Sequence, residues 1–445
     1  MVATEAIRSI SMDKETLSRA QYALLVPAGF EELCRAVLER DVQLVPPLSV
    51  CTLLPQPVLP AGFESGAAGG VAPILISTRS TRLSELAVCA PFVSVGLAHI
   101  GLGEIPDVVS SDPVVAVADL VSFFRGCRPA WESALQRWER HTCVQAGPRS
   151  ASQAEQSNAA ATSNGIMRNA QVTKFRVAVI RGGKHSASSR AFAGALGELI
   201  GEWQPDWKVD FRSPDVTLLC LLIQGRAQLG IVLPPYRSKS SDAMPEEPSR
   251  YLVAGIDRPH MRHSRAAALA LLLAPATGDV VLDPCGGIGM LTIAAALGKA
   301  IHALSMDVDY LACHAAWSNS QTARKEGELL GYVDVCQADT SSGHILRPGS
   351  VDGVIADLPY GRRHAKMDVG ALIRWLAQLL RPGGRAVLLG GAGSTGTAAA
   401  CIKSARRWPV GGWHVEREMP CQAGGIACKA IVLLRLDVRL HADNG

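Results

Sequence analysis

Asp357-Leu358-Pro359-Tyr360-Gly361 follows an apolar run, Val354-Ile355-Ala356, that reads as a β-strand. An exocyclic amine on a heteroaromatic base is a poor nucleophile because its lone pair is delocalised into the ring, so a site that uses one must orient it. A carboxylate and a backbone carbonyl that each accept one N–H turn that lone pair toward an electrophile. Asp357 and the Leu358 carbonyl supply the two acceptors, Pro359 stiffens the turn, and Tyr360 offers a ring on which a flipped base stacks. A β-turn without a ligand is the competing reading of the same five residues. Covalent activation of a base carbon would instead need a cysteine directly after the proline, where Tyr360 stands; Pro284-Cys285 and Pro420-Cys421 lie elsewhere. His364 stands alone beside the motif, and no cluster of His and Cys around it implies a metal.

A second chemical stretch lies upstream. The strand Val280-Val281-Leu282-Asp283 runs into Pro284-Cys285-Gly286-Gly287-Ile288-Gly289 and then into a helix. Gly286, Gly287 and Gly289 let backbone approach a ligand closely, and the helix that follows presents unpaired N–H groups. Thr292 stands where a dinucleotide loop has its third glycine, which disfavours that ligand class. Asp307 ends the next strand, about 24 residues after Asp283, near the spacing at which a carboxylate grips a ribose diol. Asp339 follows the third strand and could accept from an adenine amine. Each acid alone reads as a solvated loop residue; three at successive strand ends read as one rim.

The elements that must position these residues alternate regularly. A helix over Ser264–Leu273 precedes strand Val280–Asp283, helix Leu291–Leu297, strand Ala303–Asp307 and helix Leu311–Gln321. Strands Val333–Gln337 and Val351–Asp357, helix Gly370–Leu380 and strand Ala386–Leu389 follow, which predicts a doubly wound, mostly parallel α/β sheet. Upstream, strand Tyr22–Val26, the turn Pro27-Ala28-Gly29 and helix Phe30–Leu38 lead through an irregular, proline-dense Pro46–Pro60 to strands Ala72–Ser77 and Phe92–His99. Ala146–Asn169, rich in Ser, Ala, Gln and Asn, reads as a flexible insertion. Strand Phe175–Ile180, helix Ser188–Trp203, and strands Val216–Gln224 and Gln228–Leu233 make a second α+β module.

Composition agrees with such a multidomain chain. The 445 residues are 48% hydrophobic and 19% charged, enough apolar matter for more than one core. A net charge of +4 permits a polyanionic partner without demanding one. The apolar run Ala266–Ala274 is about half of what a membrane-spanning helix needs. The first twenty residues have neither a secretory apolar core nor the acid-poor character of a transit peptide, so an intracellular location, cytoplasmic or nuclear, is expected. The 12 cysteines are dispersed without a C-x-x-C pair and read as reduced core thiols.

The Asp283-x-x-x-Gly287-x-Gly289 loop with its rim of acids resembles the pattern of class I S-adenosylmethionine-dependent methyltransferases. That resemblance implies a Rossmann-like sheet and cofactor contacts from Asp283, Gly286, Gly287, Gly289, Asp307 and Asp339. Asp357 to Arg363, reading D-L-P-Y-G-R-R, is similar to the motif of amino-directed N-methyltransferases in the branch that methylates guanine N2 in RNA. It implies catalytic roles for Asp357, Pro359 and Tyr360, with Arg362 and Arg363 at the mouth of the site holding backbone beside a flipped nucleotide. Arg258-Pro259-His260-Met261-Arg262 resembles the segment that precedes the glycine loop in the same family, and Gly424-Gly425-Ile426 its closing hairpin.

Phe175-Arg176-Val177, Arg181, His185, Ser188-Ser189, Leu196-Gly197, Trp207–Asp210, Pro214-Asp215 and Gly230–Leu233 resemble a THUMP RNA-binding domain, and Tyr22–Leu33 the ferredoxin-like segment before it. The implied division is 20–145 for the ferredoxin-like region and the start of THUMP, 146–169 for the insertion, 170–240 for THUMP and 250–440 for the methyltransferase. Arg176, Arg181, Lys184 and Arg190 are the phosphate-contact candidates, against an ordinary solvated face. The family implies N2-methylguanosine formation in a transfer RNA or, second, a spliceosomal small nuclear RNA, with a small zinc-binding activator subunit as partner. A catalytically silent RNA-binding factor, or an amino-methyltransferase with another substrate, is the alternative.

Overall fold

A computed structural model of the protein describes residues 22–41, 51–53, 71–78, 93, 95–105, 112–145, 172–182, 185–223, 225–234, 236, 251–255, 257, 260–340, 346–359, 368–407, 412–423 and 426–436. The insertion expected over Ala146–Asn169 and most of Pro46–Pro60 lie outside them. The chain divides into two compact units: Met1–Val26 with Val37–Pro248, and Pro27–Ala36 with Ser249–Gly445. No helix among the described residues is long and apolar enough to cross a membrane.

In chain order the first part runs β1 (Tyr22–Pro27), α1 (Glu31–Asp41), β2 (Cys51–Leu53), β3 (Val71–Thr78), β4 (Val95–Glu104), α2 (Pro113–Gly126) and α3 (Arg128–Gln145). It continues with β5 (Lys174–Gly182), α4 (Ser189–Trp203), β6 (Lys208–Val209), β7 (Val216–Ile223) and β8 (Arg226–Val232). The strands form one eight-stranded sheet of order β2-β3-β1-β4-β8-β7-β5-β6. The two α+β modules read from the sequence are thus hydrogen-bonded to each other through antiparallel β4 and β8, where Leu97 faces Val232. Gly225, at φ +82°, makes the tight β7–β8 turn. Ser188 caps α4, its Oγ accepting from the Ala191 N–H at 3.1 Å.

Two helices, α2 and α3, occupy a region where the sequence pattern gave no helical expectation. Asp112 caps α2 and Pro113 opens it. On α3 the buried positions Trp131, Ala134 and His141 keep helical spacing, but one is a polar ring, held by the Tyr22 hydroxyl at 3.2 Å. Trp131 is fully buried and packs near Trp203 and Trp207, with ring centroids 5.4 and 5.8 Å away.

The C-terminal part comprises α5 (His263–Leu273), β9 (Val280–Asp283), α6 (Met290–Ala296), β10 (His302–Asp307), α7 (Tyr310–Lys325), β11 (Tyr332–Gln337) and β12 (Val351–Asp357). It closes with α8 (Val369–Leu379), β13 (Leu380–Gly391), α9 (Thr397–Arg406), β14 (Trp413–Ala423) and β15 (Ile426–Arg435). The sheet order is β11-β10-β9-β12-β13-β15-β14. Strands β9 to β13 are parallel; β15 is antiparallel to β13, and β14 to β15. The doubly wound, mostly parallel expectation is therefore met.

Successive strand residues point to opposite faces, and the packing follows that period. Gly353 lies against Leu273 of α5, where an added Cβ would come within 3.1 Å of a methyl. Its neighbour Val354 belongs to the core on the other side, with Leu372, Leu376 and Trp375 of α8 and Cys401 of α9. Strand order reverses between β9 and β12, so the carboxyl ends of these two strands flank the crevice where such sheets bind ligands. Leu376 is fully buried in this core. Leu376→Ala is expected to destabilise the unit by about 2–5 kcal/mol, read as a lowered urea midpoint with little change of slope.

Candidate active site

The turn after β9 is built from glycines with different tasks. A Cβ at Gly286 would run into the Ser305 hydroxyl of β10, and one at Gly289 (φ +87°) would lie 3.1 Å from Ala316 of α7. Both positions are set by close packing. Gly287 (φ +53°) is half-buried and has open space where a Cβ would stand, so its backbone conformation rather than packing favours glycine. The Gly286 N–H donates to the Met306 carbonyl at 2.7 Å, and the Gly287 N–H donates to Asp307 Oδ2 at 2.9 Å. Asp307 Oδ1 accepts the Asp309 N–H at 2.9 Å, so one carboxylate ties the loop to the entry of α7. The Ala338 N–H donates to the Asp307 carbonyl at 2.9 Å, which brings Asp339, exposed, beside the same strand end.

Asp283 is only 1% exposed. Its Oδ1 accepts the Cys285 N–H at 3.0 Å, while Oδ2 is buried without a hydrogen-bond partner among the described residues. Burial first, and then the charges of Asp357 and Asp307, hold its carboxyl well above the usual carboxylate range. Register explains the grouping: Asp283 pairs with Ser305 across β9 and β10, and Leu282 with Val354 across β9 and β12. Three carboxylates at three neighbouring strand ends, with an orphaned buried acceptor among them, suit a ligand that carries positive charge and N–H donors. The ammonium and sulfonium groups of S-adenosylmethionine fit that description.

Asp357 ends β12, next to Leu358, which is 1% exposed and donates its N–H to the Leu389 carbonyl at 2.9 Å. The Pro359 carbonyl accepts from the Thr397 hydroxyl at 3.1 Å. The corner that follows Asp357 is thus pinned on both sides. Tyr360, Arg362, Arg363 and His364 lie outside the described residues, as do Arg258 and Pro259. Burial, and then Asp283, Asp307 and Asp357, push the Cys285 thiol up. Burial likewise pushes Cys421 up to about 12. Neither thiol is activated as a nucleophile. Among the described residues no group of three or more His, Cys, Asp or Glu could hold a metal.

The structure adds residues that the sequence pattern did not single out. Asn319 of α7 is fully buried, its Oδ1 accepting the Val253 and Ala254 N–H groups at 2.9 Å each. Its Nδ2 donates to Ile288 O at 3.0 Å and Ala254 O at 3.2 Å, locking residues 253–254 to the glycine turn. No local signal marks it, since an Asn inside a helix reads as a solvated polar residue. Thr397 and the buried Arg265, which shares electrostatic reach of Cys421 with Asp357, escaped for the same reason.

In the other unit the phosphate candidates separate. Arg176 is 3% exposed, with Nε donating to the Thr217 hydroxyl at 3.3 Å, so it serves the sheet rather than a solvent-facing contact. Arg181 is exposed but donates to the Ser189 hydroxyl at 2.9 Å and the Ala187 carbonyl at 2.6 Å. Arg190 is exposed on α4, and Lys184 lies outside the described residues.

Residues 257–411 match the family described as UPF0020, RMKL-like methyltransferase domain. The chain is 31% identical over 235 residues to tRNA (guanine(6)-N(2))-methyltransferase THUMP3 of Bos taurus, covering 49% of this chain and 44% of the relative. It is 30% identical over 205 residues to U6 snRNA (guanine-N(2))-methyltransferase THUMPD2 of Bos taurus, covering 44% and 37%. The chain thus spans less than half the length of these curated relatives. The crystal structure of TrmN from Thermus thermophilus matches with a TM-score of 0.55 at 18% identity, covering 93% of this chain and 100% of that one, a likeness of fold.

Two outcomes are expected of this unit. Asn319→Ala strands the N–H groups of Val253 and Ala254 and the carbonyls of Ala254 and Ile288, and should cost roughly 3 kcal/mol in chemical denaturation; a loss under about 1 kcal/mol would show that the tie is dispensable. Asp283 keeps its proton to higher pH when folded than when unfolded. Its stabilising effect is therefore whole at acid pH and is lost as pH rises through the raised value. Asp283→Asn keeps the acceptor for Cys285, so its melting temperature should match wild type in acid and exceed it at neutral pH and above. Parallel pH profiles of the two proteins would refute this.

Proposed function

We propose that this chain is an S-adenosylmethionine-dependent RNA methyltransferase that forms N2-methylguanosine in a structured RNA, a transfer RNA first and a spliceosomal small nuclear RNA second. The observation that carries the reading is the end of β12. There the Leu358 N–H and the Pro359 carbonyl tie down the corner that follows Asp357, at the strand edge that also carries Asp283, Asp307 and the glycine turn. The curated relatives' names, guanine-N2 methyltransferases of tRNA and of U6 snRNA, support the same substrate class.

S-adenosylmethionine, when bound, supplies an electrophilic methyl group on a sulfonium. Asp283 Oδ2, Asp307 and Asp339 would receive its donors, with Gly286, Gly287 and Gly289 shaping the turn beneath it. Asp357 and the Leu358 carbonyl each accept one N–H of the guanine amine and aim its lone pair; Pro359 keeps that corner stiff, and Tyr360 stacks on the base. As the sulfonium C–S bond would break and the N–C bond form, the amine would gain positive charge, which the Asp357 and Asp307 carboxylates stabilise and which Asp357 would relieve by taking the surplus proton.

Residues 170–240 act in this reading as the THUMP-type RNA-binding part, with Arg190 and Lys184 on phosphates and Arg362 and Arg363 at the mouth of the active site. A small zinc-binding activator subunit is the proposed partner, and the nucleus or cytoplasm, where such RNAs reside, the proposed location.

The test is methyl transfer from labelled S-adenosylmethionine to total RNA, with and without the activator, followed by nucleoside mass spectrometry. Wild type should yield N2-methylguanosine, and Asp357→Ala should lower turnover by about 10²–10³-fold while still binding RNA. A folded wild type that binds the cofactor but labels no RNA would favour a silent RNA-binding factor.

A further inference from the structure

A groove of about 470 Å³ runs between α9 and the β14–β15 hairpin. Lys403 and Arg406 of α9, Arg407 just after it and Lys429 of β15 line the groove, with Glu418 of β14 among them. Glu418 is shared: it lies 3.3 Å from Arg406 and 2.8 Å from Lys429. Lys403 and Arg407, both exposed, have no ion pair among the described residues. Four cations therefore face a single carboxylate in one concave surface. Cations in a last helical turn do complement the helix dipole, but Lys429 comes from a strand, and one or two charges would suffice for that purpose. The excess positive charge calls for an anion.

The groove is joined to the candidate active site by α9 itself. Thr397, its first residue, holds the Pro359 carbonyl, and Ala398, the next, already lines the groove. At about 1.5 Å per residue, Arg406 lies roughly 14 Å further along, a span over which a polynucleotide presents several phosphates. We propose that this groove is a phosphate track, holding the RNA backbone that leads away from the nucleotide at Asp357. The inference rests on the RNA methyltransferase reading above. The contact is electrostatic and indifferent to sequence, so it positions the strand while base recognition stays with the β12 end.

The test compares wild type with Lys403→Ala/Arg407→Ala, and with Lys325→Ala as a cation removed from the far end of the sheet. Affinity for labelled total tRNA is measured over a salt series, and methyl transfer over an RNA series, with thermal melting as the check on folding. The double variant should bind about tenfold more weakly, with a salt slope shallower by about one to two and a raised KM for RNA at little-changed kcat. Lys325→Ala should behave as wild type. Equal affinity and salt slope in the double variant, with wild type methylating the RNA, overturns the track and leaves the function standing. Equal weakening by Lys325→Ala reduces the effect to net charge and also overturns the track. A wild type that neither binds nor methylates RNA overturns the parent reading and the track with it.

Discussion

The burial of the Asp283 carboxylate beside two others is the constraint on which the C-terminal unit depends. Removing a carboxylate from water and setting like charges near it both oppose ionisation, and one backbone N–H is a small offset. The arrangement follows from the place of β9 between β10 and β12, which sets Asp283 level with Ser305 and Leu282 level with Val354. The same register brings the acidic ends of β10 and β12 to the crevice. Structure and proposed chemistry meet in that tension: a ligand with positive charge relieves it, and so does a nitrogen that becomes positive during reaction.

In the proposed reaction, orientation of a weak nucleophile demands acceptors that do not wander, and the corner after β12 is tied down. Asp357 and Leu358 are the last residues of a central strand and the first beyond it. Both neighbours of the corner are tied, by Leu389 on one side and Thr397 on the other. The glycine turn is held as firmly, because Gly286 and Gly289 are pressed against β10 and α7 and Asn319 fastens Ile288 from behind. Of these three glycines Gly287 alone has open space where a Cβ would stand.

The first unit follows a different logic. Its eight strands join segments far apart in the sequence, and its core includes polar positions such as His141 and Arg176 that a pattern of apolar residues does not reveal. Arg176 shows why a run of basic residues is a weak guide: residues of similar charge on adjoining elements point inward or outward according to strand face and neighbours.

The alternation of strands and helices from Ser264 onward, the strand-end positions of Asp283, Asp307 and Asp357, and the turn glycines were legible in the residues alone. Periodicity, glycine placement and strand-ending acids are local properties, expressed within a few residues of chain. Helices α2, α3 and α9 were not legible, since their buried faces are short or carry polar groups that become acceptable only once partnered. The electrostatic coupling of the three carboxylates, the inward turn of Arg176 and the clasp of Asn319 were decided by tertiary structure. Asn319 reaches Ile288 and Val253 across 31 and 66 residues of chain. Burial, field and long-range hydrogen bonding exist only when such distant residues are brought together, whereas turn and strand preferences are already present in the unfolded chain.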